Sequence, residues 1–247
     1  MSAVIKFGVN SAQPLYQVAR AQLVKALAGG QYRPGTALPP EKTLSAEFGI
    51  SIGTLRKAVD ELVAEGILIR QQGRGTFVAS HDQERLLYYF FHIVPFDGGK
   101  TEYPVVELID FKRTKASAVV AQKLALRPGD PIFEMRNRLS LGGQALIVDD
   151  ISLPAARFRG LTAARIRDRD NTLYQLYQEA FGLSVAHTSE RLRAVIADDD
   201  MRRLLDLPAH SPAMMIRRIA FGYEHEPIEW RVSHVDTRTH EYLQDTS

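Results

Sequence analysis

Residues 39–78 have the sequence PPEKTLSAEFGISIGTLRKAVDELVAEGILIRQQGRGTFV, and this segment predicts the fold of the first part of the chain. Pro39-Pro40 suits the first turn of a short helix, because proline fixes φ near the helical value, and Gly49 predicts the end of that helix. Ser51 can cap a second helix with its side-chain oxygen. A short helix, a tight turn and a longer helix predict a helix-turn-helix, whose second helix enters the major groove of DNA.

The second helix of this pair has one apolar and one polar side. Gly53 and Lys57 lie opposite the apolar stripe, at about 100° per residue, and Thr54 and Arg56 lie on its two flanks. Arginine can read guanine, threonine can contact a thymine methyl group or a phosphate, and glycine permits close approach. We therefore predict that this side reads DNA. The apolar stripe consists of Leu55, Ala58, Val59 and Leu62.

The elements on either side of this pair predict a winged domain. From Leu15 onwards, apolar residues recur at helical spacing as far as Gly29-Gly30, which predicts a preceding helix. Residues 67–78 predict two short strands around a glycine turn. Arg70 and Arg74 give this wing positive charge, which can contact phosphate or the minor groove.

Charge and composition separate this domain from the rest of the chain. Residues 1–80 contain nine Lys or Arg and five Asp or Glu, whereas residues 81–247 contain 22 and 24. A basic segment joined to a slightly acidic one points to nucleic acid as a partner. The polar stretch 79–87 lacks apolar periodicity and predicts a linker. We therefore predict a DNA-binding domain at 9–78 and a second domain at 88–243.

Composition and motifs exclude several classes of protein. The chain has no cysteine, which excludes disulfides, cysteine-ligated metals and a thiol nucleophile. It has no apolar run of about 20 residues, and its start lacks the pattern of a signal peptide, so we expect a cytoplasmic protein without a membrane segment. The histidines lack the spacing of a zincin site, and Asp198-Asp199-Asp200 suits a helix N-terminus. We expect no catalytic residue, no metal site and no cofactor.

The second domain alternates strand-like runs with a few helical segments. A weak repeat of about 81 residues relates the segment from Leu124 to Arg136 to the segment from Leu205 to Arg217. This pattern predicts an α+β domain around an antiparallel sheet. The strand-like runs are 88–94, 105–111, 131–139, 144–152, 184–196, 213–222 and 227–235, and the helical candidates are 116–124, 172–181 and 199–206.

Charged residues on the predicted strands suggest a binding site. Arg136 and Arg138 alternate with apolar residues, so both guanidinium groups leave one face of a strand, where they suit an anionic group. Glu190 falls on the apolar side of its strand and needs an arginine or a ligand as a partner. An internal ion pair without a ligand is the alternative for each of these residues.

The motifs of the first domain, in order, are Pro14 to Gln17, Tyr32 to Gly35, Leu38 to Lys42, Ser51 to Ala58 and Gln72 to Val78. Through them, residues 12–79 resemble the GntR family of bacterial transcriptional regulators. The resemblance implies that Lys42, Thr54, Arg56 and Gly73 contact DNA. Ile52 and Lys42 stand where the family commonly has arginine, so the operator sequence does not follow. The predicted DNA-binding residues are Lys42, Ser51, Gly53, Thr54, Arg56, Lys57, Arg70, Gly73 and Arg74.

The second domain carries further motifs, which are Leu126 to Pro131, Arg136-Asn137-Arg138, Asp149 to Pro154 and Pro227-Ile228-Glu229. They make residues 88–243 similar to the UTRA effector domain of the HutC subgroup, which has a chorismate-lyase-like fold. The resemblance implies a domain that senses a small molecule and forms a dimer. The predicted effector-binding residues, which we expect to face one pocket, are Arg136, Arg138, Asp149, Glu190 and Glu229.

The sequence as a whole predicts a homodimeric repressor that binds a palindromic operator in double-stranded DNA. A small anionic effector, such as a sugar phosphate, an amino acid or a carboxylate, is expected to modulate that binding. Two alternatives stay open. One is an enzyme, although a chorismate-lyase-like fold does not by itself imply that function. The other is a FadR-type regulator with an all-helical, metal-binding C-terminal domain, which the strand alternation disfavours.

Overall fold

The computed structural model of the protein describes residues 14–80, 91–99, 103–169 and 172–244. Residues 14–80 form a winged helix-turn-helix, as predicted. The predicted linker from residue 81 onwards and the start of the predicted strand at 88–90 lie outside the described residues, so the domain boundaries stay predictions. The elements are α1 (Leu15–Ala28), α2 (Glu41–Phe48), α3 (Ile52–Ala64), β1 (Leu68–Gln71) and β2 (Gly75–Val78).

The turn between α2 and α3 depends on two residues. Gly49 has a φ of 61° and ends α2 in the left-handed conformation, which glycine adopts without steric cost. The hydroxyl of Ser51 accepts a hydrogen bond of 3.1 Å from the backbone N–H of Thr54 and so caps α3. The predicted stripe of α3 is buried in the core with Leu23 of α1 and Phe48 of α2. This packing leaves the polar side of α3 exposed.

The second part of the chain is an antiparallel sheet with helices on both faces, which confirms the predicted α+β class. Within the described residues, six strands pair in the order β4-β5-β6-β9-β8-β7, and β3 and β10 form a separate ribbon. None of the described helices is long and apolar enough to span a membrane. The strands are β3 (Ile93–Pro95), β4 (Val105–Lys115), β5 (Pro131–Leu141), β6 (Gln144–Pro154), β7 (His187–Ile196), β8 (Pro212–Phe221), β9 (Pro227–Val235) and β10 (His240–Tyr242). The helices are α4 (Ala118–Lys123), α5 (Ala163–Arg167), α6 (Leu173–Phe181) and α7 (Asp199–Leu205).

The order of the strands agrees with the weak repeat in the sequence. Each half of the sheet consists of an edge strand, a helix and a hairpin: β4, α4, β5 and β6 in one half, and β7, α7, β8 and β9 in the other. The two hairpins meet where β6 pairs with β9. As predicted, Asp198 caps α7, since its side chain accepts a hydrogen bond of 2.8 Å from the N–H of Met201.

The winged domain packs against one end of the sheet. Ala186, directly before β7, and Tyr223, between β8 and β9, belong to the same buried apolar cluster as α1, α2 and α3. Beside them, the ring centroids of His187 and His225 lie 4.9 Å apart. Burial and His225 lower the pKa of His187, while Glu65, which ends α3, opposes this change. The C-terminal end of the reading helix therefore lies next to the sheet.

Candidate DNA interface and effector site

The polar side of α3 forms an exposed surface together with the start of α1. Ser51, Gly53 and Lys57 are exposed, and the hydroxyls of Ser51 and Thr54 lie 2.8 Å apart. The ammonium group of Lys57 lies 3.9 Å from the centroid of the Tyr16 ring. A shallow depression is lined by the cap residue Ser51, by these three residues of α3 and by the first residues of α1. The structure thus brings together four of the predicted DNA-binding residues.

Arg56 contacts a carboxylate that the sequence analysis did not select. Oε2 of Glu41 accepts hydrogen bonds from Nε and Nη2 of Arg56 at 3.1 and 2.9 Å, and these bonds raise the pKa of Arg56. The other oxygen, Oε1, lies 3.4 Å from Nη2 of Arg70 on β1. Arg70 also pairs with Asp60 of α3 at 2.7 Å. Glu41 therefore joins α2, the reading helix and the wing.

The remaining predicted DNA-binding residues lie on α2 and at the tip of the wing. Lys42 is exposed in the first turn of α2. Gly73 has a φ of 72°, so the tip uses a backbone conformation that favours glycine. The guanidinium of Arg74 lies 5.5 Å from the centroid of the Phe77 ring, which keeps the charge next to the wing.

Arg136 and Arg138 lie on the face of the sheet that is covered by α4 and α7. The guanidinium of Arg136 donates hydrogen bonds of 2.6 and 3.0 Å to Asp150 and one of 2.6 Å to Asp200 of α7. Its bonds to Asp150 raise the pKa of Arg136 despite partial burial. Arg138 pairs with Glu107 of β4 at 2.6 Å. Both arginines are thus engaged in internal ion pairs near the surface.

The other three predicted effector-binding residues lie on the opposite face, where Asp149 and Glu229 are buried and Glu190 is half-buried. Arg231 donates a hydrogen bond of 3.0 Å from Nη1 to Asp149 and one of 2.8 Å from Nε to Glu229. Glu190 is paired with Arg218. Glu229 has no exposed surface and Asp149 is 3% exposed. These residues form what we term the charge cluster, namely Asp149, Glu190, Arg218, Glu229 and Arg231.

Three tyrosines from two elements, α6 and β10, complete the hydrogen bonds of the charge cluster. The hydroxyls of Tyr174 and Tyr177 on α6 donate to Glu229 at 3.2 and 2.7 Å, and that of Tyr242 donates to Glu190 at 2.5 Å. Burial and the nearby Glu229 raise the pKa of Tyr174 to about 12. The phenol therefore stays protonated at neutral pH and remains a donor. Arg218, Arg231 and the tyrosines were not predicted from the sequence, although Arg217 and Arg218 are the polar residues of an otherwise apolar strand.

The prediction that all five effector-binding residues face one pocket is wrong, and the reason is a β-bulge. At the turn, Leu141 pairs with Gln144, and the same register would place Arg136 opposite Asp149. The register shifts by one residue between Leu139 and Ser140, so that Arg136 pairs with Asp150 instead. Because side chains alternate along a strand, a shift of one residue moves a side chain to the other face.

A buried polar atom next to the charge cluster, Oδ1 of Asn137, lacks a hydrogen-bond partner among the described residues. Asn137 is paired with Asp149 across β5 and β6, and is 1% exposed. Its Oδ1 atom accepts no hydrogen bond from any of the described residues. A buried acceptor without a donor costs about 1–3 kcal/mol, so this atom suits a ligand that donates a hydrogen bond.

Comparison with known families assigns both halves of the chain. Residues 100–241 match the UTRA domain, and residues 15–78 match the bacterial regulatory proteins of the gntR family. The chain belongs to the UTRA family. With its gntR-type winged helix-turn-helix, this UTRA regulator is a DNA-binding transcriptional regulator, as the sequence predicted.

Curated relatives resemble this UTRA regulator over most of their length. A protein of Escherichia coli (strain K12) named "Probable fructoselysine utilization operon transcriptional repressor" is 28% identical over 228 residues, which are 92% of this chain and 91% of the relative. The mannosyl-D-glycerate transport/metabolism system repressor MngR of the same organism is 27% identical over 214 residues, covering 85% and 86%. Both relatives are named as repressors.

Solved structures have the same fold. The ligand-binding domain of a regulator assigned to the GntR family, from Bordetella bronchiseptica, is 29% identical with a TM-score of 0.60, and covers 63% of this chain and 96% of that one. PhnF from Mycobacterium smegmatis is 21% identical with a TM-score of 0.53, covering 93% and 100%. The sheet of the second part contradicts the all-helical alternative.

Proposed function

We propose that this UTRA regulator is a cytoplasmic, homodimeric repressor, and not an enzyme. The α3 helices of the two protomers bind a palindromic operator. A small anionic effector, bound in the second domain, causes the dimer to release the DNA. The observation that carries the proposal is the exposed polar side of α3, next to which Arg56 is held between α2 and the wing. The regulators that resemble it in sequence support the role of repressor.

The charge cluster is the part of the second domain that best suits an effector. It combines buried arginines, buried carboxylates and the unsatisfied Oδ1 of Asn137. Arg218 and Arg231 are the cations of this face, in place of the predicted Arg136 and Arg138, and an anionic group would bind them by displacing the carboxylates with which they pair. Arginines fork anionic groups, whereas carboxylates and the amide oxygen accept from hydroxyl or amino groups. A sugar phosphate, an amino acid or a hydroxylated carboxylate contains both kinds of group.

The contact between the domains offers a route from effector to DNA. Glu229 of the charge cluster lies on β9, directly after the turn that holds Tyr223. Tyr177 of α6 donates to Glu229, and α6 leads into Ala186 through a short connection. Both Tyr223 and Ala186 pack against the winged domain. A shift of β9 or α6 on effector binding would therefore change the position of α3, in addition to any effect through the linker at 79–87.

Selection of DNA by the full-length protein tests the DNA-binding part of the proposal. From a random duplex library, we expect enrichment of a palindrome whose half-sites are about one helical turn apart. Its affinity should fall about a thousandfold between 50 and 200 mM salt, because about six phosphate contacts release counterions. Light scattering should show a dimer. Failure to enrich any sequence, or a monomer on the DNA, would contradict the proposal.

A thermal-shift screen with sugar phosphates, amino acids and small carboxylates tests the effector part, since a bound compound stabilises the folded state. For the compound with the largest shift, we expect Asn137→Ala to raise the concentration needed for operator release about tenfold, because a hydrogen bond of about 1.4 kcal/mol is lost. Arg136→Ala combined with Arg138→Ala is the matched control on the opposite face and should leave release unchanged. If only the variant without Arg136 and Arg138 impairs release, the effector binds on the face that holds those two arginines. If no compound raises the melting temperature, these three effector classes are excluded.

A further inference from the structure

The guanidinium of Arg56 has two edges that can each form a pair of hydrogen bonds. Glu41 occupies the edge formed by Nε and Nη2, at 3.1 and 2.9 Å. The edge formed by Nη1 and the outer N–H of Nη2 has no hydrogen bond to the residues that the structure describes. Two donors on one edge are what a guanine requires for bidentate contact at O6 and N7. The contact with Glu41 therefore leaves the edge that reads guanine available.

Glu41 is itself fixed in position. It is the first residue of α2, where the helix dipole favours a carboxylate. Its second oxygen lies 3.4 Å from Arg70, which in turn pairs with Asp60 of α3. The side chain of Glu41 is 28% exposed, whereas that of Arg56 is 58% exposed. A partly buried carboxylate thus anchors a much more exposed guanidinium.

The helix dipole favours a carboxylate at this place, but the ion pair of Glu41 with Arg56 itself adds little stability. An exposed ion pair contributes about 0–1 kcal/mol to folding, and a negative charge next to DNA repels phosphate. Its benefit lies in recognition, since a side chain that is held in its bound conformation loses less entropy on binding. The carboxylate of Glu41 also disfavours sequences that Arg56 cannot contact. On such sequences no hydrogen bond from Arg56 to a base offsets the repulsion between this carboxylate and the DNA phosphates.

We propose that Glu41 is a positioning residue that determines specificity: it holds Arg56 by one edge and directs the other edge towards guanine. The inference rests on the proposed function, because it assumes that α3 enters the major groove. It goes further in assigning sequence discrimination to an acidic residue that need not contact a base.

The experiment compares Glu41→Gln with Glu47→Gln in the full chain. Glu47 is exposed on the same helix and forms no ion pair among the described residues, so both variants remove one negative charge from α2. The probes are the palindrome selected by the wild-type protein and a shuffled duplex of the same composition. Both variants should bind the shuffled duplex more tightly. Only Glu41→Gln should lower the ratio of the affinity for the palindrome to the affinity for the shuffled duplex, by about tenfold, or about 1.4 kcal/mol.

A modified base identifies the contact through which Glu41 acts. Replacing the selected guanines one at a time with 7-deazaguanine removes the N7 acceptor. At one guanine per half-site, the replacement should lower the affinity of the wild-type protein and of Glu47→Gln at least fivefold. It should lower the affinity of Glu41→Gln much less. Equal ratios and equal 7-deazaguanine effects in all three proteins would overturn the inference. A wild-type protein that enriches no sequence would contradict the proposed function itself, and circular dichroism of each variant verifies its fold.

Discussion

Arg56→Ala is expected to remove the preference of the protein for its operator and to leave the proposed dimer intact. The side chain lies on the exposed flank of α3, and its guanidinium keeps one edge available beside Glu41. A bidentate contact with guanine contributes about 1–3 kcal/mol of discrimination, and a dimer makes it twice. We therefore expect the operator affinity to fall about a hundredfold or more. Titration of the selected palindrome and of its shuffled counterpart measures this loss.

The control for this prediction is Arg33→Ala, which removes the same charge from the same domain. Arg33 is exposed, and its guanidinium forms no ion pair among the described residues. It should weaken binding to both duplexes by a similar, small factor, because it changes only the general attraction to phosphate. A footprint on the operator that is unchanged in Arg56→Ala would show that α3 does not read DNA through this residue.

The reading helix could be predicted because its signals are local. Ser51 caps α3 and Leu55 faces the core for reasons that act within a few residues of sequence. Glu41 escaped notice because its partner Arg56 lies 15 residues away and on another helix. No periodicity relates the two residues, since their contact is created by the turn between α2 and α3.

The candidate effector site was harder to predict because it depends on the register of a sheet. The alternation of Arg136 and Arg138 correctly indicated that they share one face. It could not show which face Asp149 occupies, because the bulge near Leu139 has no distinct signal in the sequence. Apolar alternation predicted that Glu190 points inward, and its side chain is 9% exposed, but Leu192 and Ile196 of the same pattern are exposed. The burial of Glu190 instead depends on Arg218, which lies on an adjacent strand. Which residues lie opposite each other depends on the register of all the strands in the sheet, and the sequence of a single strand does not show it.

Arg231→Met is expected to cause a large loss of stability in the second domain. Arg231 donates to both Asp149 and Glu229, and its side chain is only 14% exposed. Methionine fills a similar space but leaves two buried carboxylates without this cation. Breaking a buried ion pair in this way costs about 3–5 kcal/mol. Trp230 is the only tryptophan of the sequence and lies next to Arg231 on β9, so its fluorescence during urea unfolding reports on this domain.

Two further variants test the cause of this loss. Arg138→Met removes an arginine whose partner Glu107 is 55% exposed, so the free energy of unfolding should fall by less than about 1 kcal/mol. Adding Asp149→Asn and Glu229→Gln to Arg231→Met should restore much of the stability, because no unpaired charge then remains buried. If the triple variant is as unstable as the sum of its parts, the loss arises from packing and not from charge. If Arg231→Met unfolds at the wild-type urea concentration, Arg231 contributes no net stability to this domain and the prediction is wrong.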